Sequence, residues 1–116
     1  MSVVDPAVNP AVDPTADLIF AALGDATRLA LLARLNDGQS HSISNLTAFS
    51  PLTRQAVTKH LHVLAQAGLV ESRSAGRETH YALRAETIIL AQRYLDQVSK
   101  QWDAALGRLK DFVERD

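Results

Sequence analysis

Hydrogen-bonding side chains recur at helical spacing along one face of a helix predicted over residues 53–66. They are Gln55, Thr58, Lys59, His62 and Gln66. Amide, hydroxyl, ammonium and imidazole groups can hydrogen-bond to base edges in a DNA groove and to phosphate oxygens. The opposite face carries Val57, Leu61 and Leu64, spaced as a stripe that packs on a core. The pattern therefore predicts a helix that reads nucleic acid with its polar face.

Individual side chains of this helix can be matched to particular contacts. Gln55 suits adenine and Arg54 suits guanine, because each can form two hydrogen bonds to its base. Thr58 can meet a thymine methyl group or a phosphate, whereas Lys59 and His62 suit phosphate or guanine acceptors. For each side chain the alternative is an ordinary solvated surface position.

A basic hairpin is predicted directly after the helix. Gly68 suits the C′ position of a left-handed helix cap. A strand then begins at Leu69-Val70, turns through residues 74–77 and returns over residues 79–83. Such a helix followed by a hairpin is typical of a winged helix-turn-helix, in which the hairpin forms the wing.

Arginines of the wing are predicted to hold the DNA backbone. Arg77, at the tip, would enter a minor groove or bind phosphate, with Arg73 and His80 on the strands behind it. Together with the helix, these positions complete the predicted DNA-binding set. That set is Thr53, Arg54, Gln55, Thr58, Lys59, His62, Arg73 and Arg77.

The distribution of charge favours the same surface, although the net charge of the chain is only −1. Residues 54–84 carry five basic and two acidic side chains, a balance of +3, against −3 for residues 1–53 and −1 for residues 85–116. Binding to phosphates requires a locally positive surface. The one basic region therefore coincides with the predicted helix and wing, with random clustering as the alternative.

Shorter helices are predicted upstream. Asp13-Pro14 offers an N-cap and a proline at N1 for a first helix that ends near Leu23, before Gly24. Asp25 then caps a second helix that runs through about Leu35. The side chains predicted to face inward from the second helix are Leu29, Leu32 and Leu35.

The connection into the polar helix follows. A third helix is predicted over residues 43–49, and Ser50-Pro51 forms a turn. Thr53 is the predicted N-cap of the polar helix, although Ser50 with Pro51 at N1 would start it one turn earlier.

Residues 84–113 carry a heptad pattern that predicts one long helix. The apolar positions follow at alternating steps of three and four: Ile88, Ala91, Leu95, Val98, Trp102, Ala105, Leu109 and Phe112. A helix of roughly 29 residues is about 43 Å long, more than a small domain can cover. We therefore expect a homodimer, with the helix folding along its own first helix as the alternative. The predicted interface residues are Ile88, Leu95, Val98, Trp102 and Leu109.

Length and composition predict two regions. Residues 1–14 repeat prolines every four residues, which predicts a disordered N-terminal arm, and residues 15–116 suffice for one domain.

The chain has no cysteine, which excludes disulfides and thiolate chemistry. It has no apolar run of about 18 residues and no basic, apolar signal at its start, so we expect a cytoplasmic protein that makes no membrane contact.

Two segments together resemble the arsenical-resistance-repressor (ArsR) family of transcriptional regulators. They are FAALGDATRLALLARL at 20–35 and RQAVTKHLHVLAQAGLVESRSAGRETHYAL at 54–83. The resemblance implies a mainly α winged helix-turn-helix with a small β-hairpin wing, dimerising through its first and last helices. It further implies a recognition helix over residues 53–66 and a wing over residues 73–81. It also implies repression by occupying an operator on double-stranded DNA, usually relieved by a small effector.

The chain departs from the metal-sensing members of that family. Those members carry a Cys-x-Cys-type motif before the turn, where this chain has SISNLTAFS at 42–50, or Asp and His ligands on the final helix, which here has no histidine. His60 and His62 lie about 200° apart around a helix and cannot bind one ion together. We predict no metal and no cofactor, with His60 packed and hydrogen-bonded, and Arg28 paired locally with Asp25.

Two other classes of function remain as alternatives. An enzyme is disfavoured, because the sequence has no phosphate-binding glycine loop, no nucleophile motif and no paired carboxylates or histidines at workable spacing. A winged-helix dimer that acts as a protein-interaction module, as an antitoxin does, is the second alternative. The operator, the effector, the role of the N-terminal arm and the choice between activation and repression stay open.

Overall fold

The computed structural model describes residues 16–115, and the predictions for the arm and for an Asp13 cap lie outside them. Within that range the fold is mainly α with a small antiparallel sheet, as predicted. In chain order its elements are α1 Ala16–Leu23, α2 Ala26–Arg34, a 3₁₀ turn Leu35–Asp37, β1 His41–Ser42, α3 Ile43–Ala48, α4 Arg54–Gln66, β2 Val70–Ala75, β3 Glu78–Leu83 and α5 Ala85–Glu114.

The wing is a tighter hairpin than the sequence predicted. The β2–β3 pairing continues out to Ala75 opposite Glu78, so the turn is the two residues Gly76 and Arg77 rather than four. Gly76 has φ +65°, a left-handed conformation that two-residue hairpin turns require and that glycine adopts without strain. The sheet therefore carries Arg77 at its extreme tip.

A third strand, β1, was not predicted. His41 pairs with Tyr81 and Ser42 with His80, so β3 is the central strand of the order β1-β3-β2. Two residues are too few to show the alternating pattern by which a strand is recognised in sequence. The pairing attaches the base of the wing to the segment that leads into α3.

Helix α4 lies at the centre of the molecule. Its Val57, Leu61 and Leu64 are each 0% exposed, so the predicted apolar stripe is confirmed. Their neighbours in the core come from all four of the other helices and from both strands of the wing. They are Ile19, Leu31, Leu35, Leu46, Leu69, Val70, Tyr81 and Ala91. Removing so large an apolar surface from water is the main term that holds the helix in place.

The prediction for the inner face of α2 was wrong at one position. Leu32 and Leu35 are buried as expected, but Leu29 is 50% exposed and Leu31 is buried instead. Leu29 lies two residues from Leu31, and so about 200° around the helix from it. Once α3 and α4 cover Leu31, the side chain of Leu29 has to face outward.

The N-terminal caps fix where the helices begin. Asp25 accepts a hydrogen bond from the backbone N–H of Arg28 at 3.0 Å, and Thr53 Oγ1 accepts from the N–H of Ala56 at 3.2 Å. The prediction of Thr53 as the cap of α4 is confirmed. The earlier start at Ser50 is wrong, because Ser50 Oγ accepts from Leu52 N–H within the connection at 3.1 Å.

The C-terminus of α4 is fixed by a Schellman motif. Leu69 N–H donates to Leu64 O and Gly68 N–H to Ala65 O, both at 3.0 Å. Gly68 has φ +78°, which confirms the predicted left-handed cap. The motif turns the chain directly from α4 into β2.

Replacing Gly68 by alanine tests this motif. A residue with a side chain at this left-handed φ is disfavoured by about 1–2 kcal/mol, so we expect the free energy of unfolding in urea to fall by that amount. Gly107→Ala is the control, because Gly107 lies in α5 with open space around it, and there alanine should add up to about 1 kcal/mol. Equal effects of the two substitutions would contradict the cap.

Candidate nucleic-acid interface

The outward face of α4 forms a shallow groove on the surface of the protein. Its lining residues are Thr53, Gln55, Ala56, Thr58, Lys59 and His62. Five of the eight residues predicted from sequence to bind DNA are thus brought together. The side chains of Gln55, Lys59 and His62 are exposed, and Gln66 continues the same exposed face one turn later.

The two threonines of the groove already use part of their hydrogen-bonding capacity. Thr53 Oγ1 caps the helix, and Thr58 Oγ1 donates its proton to Arg54 O at 2.8 Å. A phosphate oxygen needs a donor, so Thr58 would have to give up this bond in order to bind one. Of its two predicted contacts, the geometry therefore favours the thymine methyl group.

Arg54 leans towards α3. Its Nη1 donates to Ser44 Oγ at 2.8 Å, which links the start of α4 to the exposed side of α3. A guanidinium has five N–H donors, so others remain for a base or a phosphate. The sequence did not predict Ser44 as a partner of Arg54, because ten residues separate the two.

The charges of the wing are partly offset by acidic neighbours. Arg73 Nη2 lies 3.1 Å from Glu71 Oε1, and His80 Nε2 lies 3.6 Å from Glu78 Oε2. Arg77 is exposed and forms no ion pair within residues 16–115. Arg77 is therefore better placed than Arg73 to bind a phosphate. The Glu71–Arg73 spacing of two residues puts both side chains on one face of a strand, a signal that was present in the sequence.

One further side chain of the outward face was missed. Val63 is 37% exposed and follows Lys59 by one helical turn. The predicted buried stripe did not include Val63, which the structure leaves partly exposed at the edge of the polar face. An apolar side chain there suits the methyl group of thymine.

Arg28, on α2, connects α4 to the end of α1. Its Nε donates to Ala22 O at 2.6 Å and its Nη2 to Ala21 O at 3.3 Å, satisfying carbonyls at the end of α1. Its Nη1 donates to His60 Nδ1 at 3.2 Å, so His60 is hydrogen-bonded as predicted. The predicted pairing of Arg28 with Asp25 is made by the backbone N–H rather than by the guanidinium.

Asp25 adds electrostatic support at the same junction. The hydrogen bond from the backbone N–H of Arg28 is the largest of the effects that hold the pKa of Asp25 below its ordinary value. A carboxyl whose pKa is lowered in the folded state stabilises the fold while it is ionised. That contribution is present at neutral pH and is lost as the pH falls below about 4.

The part of the chain that the structure describes contains neither a metal-binding cluster nor a membrane-spanning helix. Within residues 16–115, no group of three or more His, Asp or Glu side chains is arranged to hold a metal ion. None of the helices from α1 to α5 is both long enough and apolar enough to cross a membrane.

Comparisons with known proteins define the class. Residues 23–73 match the family model described as a helix-turn-helix domain. The chain is 36% identical over 98 residues to the HTH-type transcriptional regulator Rv2034 of Mycobacterium tuberculosis, covering 84% of this chain and 88% of that protein. It is 42% identical over 67 residues to the uncharacterized HTH-type transcriptional regulator YuzN of Bacillus subtilis, covering 53% of this chain and 73% of that protein.

Solved structures give the same answer. An ArsR-like transcriptional regulator from Rhodococcus sp. RHA1 superposes with a TM-score of 0.73 at 36% identity, over 86% of this chain and 93% of that one. The fold and the α4 face thus define a DNA-binding winged helix-turn-helix protein of transcription regulation. The chain belongs to the ArsR family of transcriptional regulators, as its resemblance implied. That family consists of regulators rather than enzymes.

Replacing Arg28 by lysine tests how α4 is held. The guanidinium of Arg28 binds two carbonyl oxygens and the His60 imidazole, and the single ammonium group of lysine cannot make all three contacts. We therefore expect the free energy of unfolding to fall by about 1–3 kcal/mol. Arg93→Lys on the exposed side of α5 is the matched control and should stay within about 0.5 kcal/mol of the parent. Equal stability of the two variants in urea titrations would show that the Arg28 contacts contribute little.

Proposed function

We propose that this protein is a repressor that binds a palindromic operator as a homodimer, with α4 in the major groove and the wing on the flanking backbone. The single observation that carries the proposal is the exposed polar face of α4, together with Arg77 at the wing tip, which forms no ion pair within residues 16–115. Gln55, Lys59 and His62 lie on that face, opposite the fully buried stripe of the same helix. A repressor acts by occupying its operator, so DNA binding alone is sufficient for this function.

The dimensions of α4 suit this role. Its 13 residues make a helix about 20 Å long, and a B-DNA major groove about 12 Å wide admits one helix. The first turn, which carries Gln55, offers the positive end of the helix dipole to the DNA. Base contacts would come from this turn and phosphate contacts from Lys59 and Arg77.

Helix α5 supports the homodimer. Its 30 residues span about 45 Å, whereas the eight residues of α1 span about 12 Å. Helix α1 packs on the first part of α5, where the rings of Phe20 and Tyr94 form a tilted pair with centroids 5.4 Å apart and Ala91 is buried. Packing on its own first helix, the alternative, therefore covers less than half of α5.

Most of the heptad stripe beyond Ala91 is exposed. Leu95 is 53% exposed, Trp102 65%, Leu109 58% and Phe112 74%. An exposed apolar stripe of this length marks a protein–protein interface, and a second copy brings an identical stripe in two-fold arrangement. Ile88 and Val98, which are half-buried, would lie at the inner edge of the same interface.

The alternative function, a protein-interaction module, requires a different distribution of side chains. Binding a protein partner through α4 and the wing would favour large apolar anchors on that surface. The surface instead offers Gln55, Lys59, His62 and Arg77, while the large exposed apolar residues are concentrated on α5. The distribution favours DNA as the partner of α4.

Two substitutions separate backbone binding from base reading. After selection of a preferred site from random duplexes, Arg77→Ala should weaken binding to that site and to random DNA alike. It should also lower the slope of log affinity against log salt by roughly two per dimer, because each wing loses one phosphate contact. Gln55→Ala should instead reduce discrimination by about 1–3 kcal/mol per half-site, with little change in slope.

Lys100→Ala, on the exposed outer side of α5, is the control for both variants and should leave affinity and slope unchanged. All three variants must first be shown to be folded with the parent's oligomeric state. If Lys100→Ala weakened binding while Arg77→Ala and Gln55→Ala did not, the proposed reading head would be wrong even though the fold is right.

The homodimer is tested by placing charge in the stripe. The parent chain should sediment as a dimer at micromolar concentration, and Leu95→Asp/Trp102→Asp should give monomer or unfolded chain, because burying two carboxylates is costly. Gln97→Asp/Ala104→Asp is the matched control, since it adds the same charge at the same spacing on the outer face and should remain dimeric. A folded monomer of the parent chain would remove the basis of the dimer.

A further inference from the structure

A second concave site lies between α2 and the end of α3, and it shares no residue with the α4 groove. The cavity measures about 210 Å³. Residues 26, 27, 30, 31 and 34 of α2 form one wall, because these positions recur on one side of a helix. The opposite wall comes from Leu46, Phe49 and the Ser50-Pro51 turn. The cleft is mostly apolar, with one charged group at its edge.

That charged group is Arg34. Its guanidinium carbon lies 3.6 Å from the centroid of the Phe49 ring, and Phe49 itself is 62% exposed. Arg34 forms no ion pair with any residue in the range 16–115. Asp37, which follows it closely, is occupied by His41 Nε2 at 2.8 Å and by the N–H of Gln39 at 3.0 Å. The cleft therefore combines an exposed aromatic ring with a cation over its face that has no ion-pair partner within residues 16–115.

We propose that this cleft binds a small organic carboxylate that carries a single aromatic or similar-sized apolar ring. The carboxylate pairs with Arg34, whose planar fork suits two parallel hydrogen bonds. The ring packs against Ala30, Leu46 and Phe49. A cavity of about 150 Å³ already holds benzene, so the volume here suits one ring with its carboxylate. The volume of the cleft is smaller than the roughly 300–1,000 Å³ of sites that bind larger ligands.

The position of the cleft links it to α4, and this step rests on the proposed function. Ser50 and Pro51 belong to the connection between α3 and Thr53, the cap of α4. A ligand that widens the cleft displaces this connection relative to α2, and so shifts the reading face away from its DNA-binding position. Coupling between two sites is reciprocal, so a ligand that weakens DNA binding is itself released when DNA binds.

Titration in the absence of DNA tests the site directly. Two-dimensional amide NMR spectra of the full chain are recorded with sodium benzoate and sodium phenylacetate, each up to about 10 mM, and with benzamide and phenylacetamide as uncharged counterparts. We expect saturable shifts that are largest in α2 and residues 46–51 and extend into the start of α4. The carboxylates should bind at least about tenfold more tightly than the amides, because a charge-assisted pair is lost with the amide.

Variants distinguish the two halves of the site. Arg34→Gln should weaken carboxylate binding by about tenfold or more, and Ala30→Leu, at an exposed helix position, should fill the cleft and abolish binding. Arg93→Gln is the matched loss of a cation elsewhere and should leave binding unchanged. The absence of saturable shifts with both acids would overturn the site, as would shifts that survive in both cleft variants. Equal binding of the amides would overturn the role of Arg34.

The link to DNA is measured separately. Affinity for a duplex is determined with benzoate and with sodium chloride at the same ionic strength, because DNA binding is itself salt-dependent. We expect benzoate to weaken binding by the parent at least about threefold, and to leave Arg34→Gln unaffected. Unchanged DNA affinity with an occupied cleft would overturn the coupling alone. Failure of the protein to bind any DNA would refute the proposed function. The NMR titration would still show whether the cleft binds carboxylates.

Discussion

The structure depends on one constraint, the complete burial of a single stripe of α4. Val57, Leu61 and Leu64 are inaccessible to solvent, and a helix turns by about 100° per residue, so burial of these three fixes the direction of every other side chain on the helix. Gln55, Lys59 and His62 face outward as a geometrical consequence. The buried stripe and the face proposed to read nucleic acid are two sides of the same helix, so a change that rotates one rotates the other.

The two helix caps and the Arg28–His60 hydrogen bond hold α4 in its orientation on the core. The helix begins at its N-cap Thr53 and ends at the Gly68 motif, and both caps satisfy backbone groups that would otherwise be free at the helix termini. Arg28 connects its middle, through His60, to the end of α1. The long helix α5 extends away from this rigid centre with its apolar stripe exposed. Two copies joined through that stripe would present two reading faces in a fixed relation, which a palindromic site requires.

Much of this could be predicted from the sequence because the signals were local. Periodicity over 13 and 30 residues defined α4 and α5, and caps such as Asp25 and Gly68 are recognised by residue type alone. What could not be predicted depends on tertiary neighbours: the exposure of Leu29 follows from which side of α2 is covered. The Arg54–Ser44 bond joins side chains ten residues apart. The two-residue strand β1 exists only because β3 lies beside it.

The outward face of α4 is proposed to lie in the major groove of DNA, and DNA cleavage from a label on that face tests this placement directly. The chain has no cysteine, so a single one can be introduced and labelled with a DNA-cleaving iron chelate. Gln66→Cys places the label at the end of that face, and Lys100→Cys places it on the outer side of α5. Two symmetric clusters of cleavage from position 66, and none from position 100, are the predicted result. Cleavage from position 100 alone would contradict the placement of α4 in the major groove.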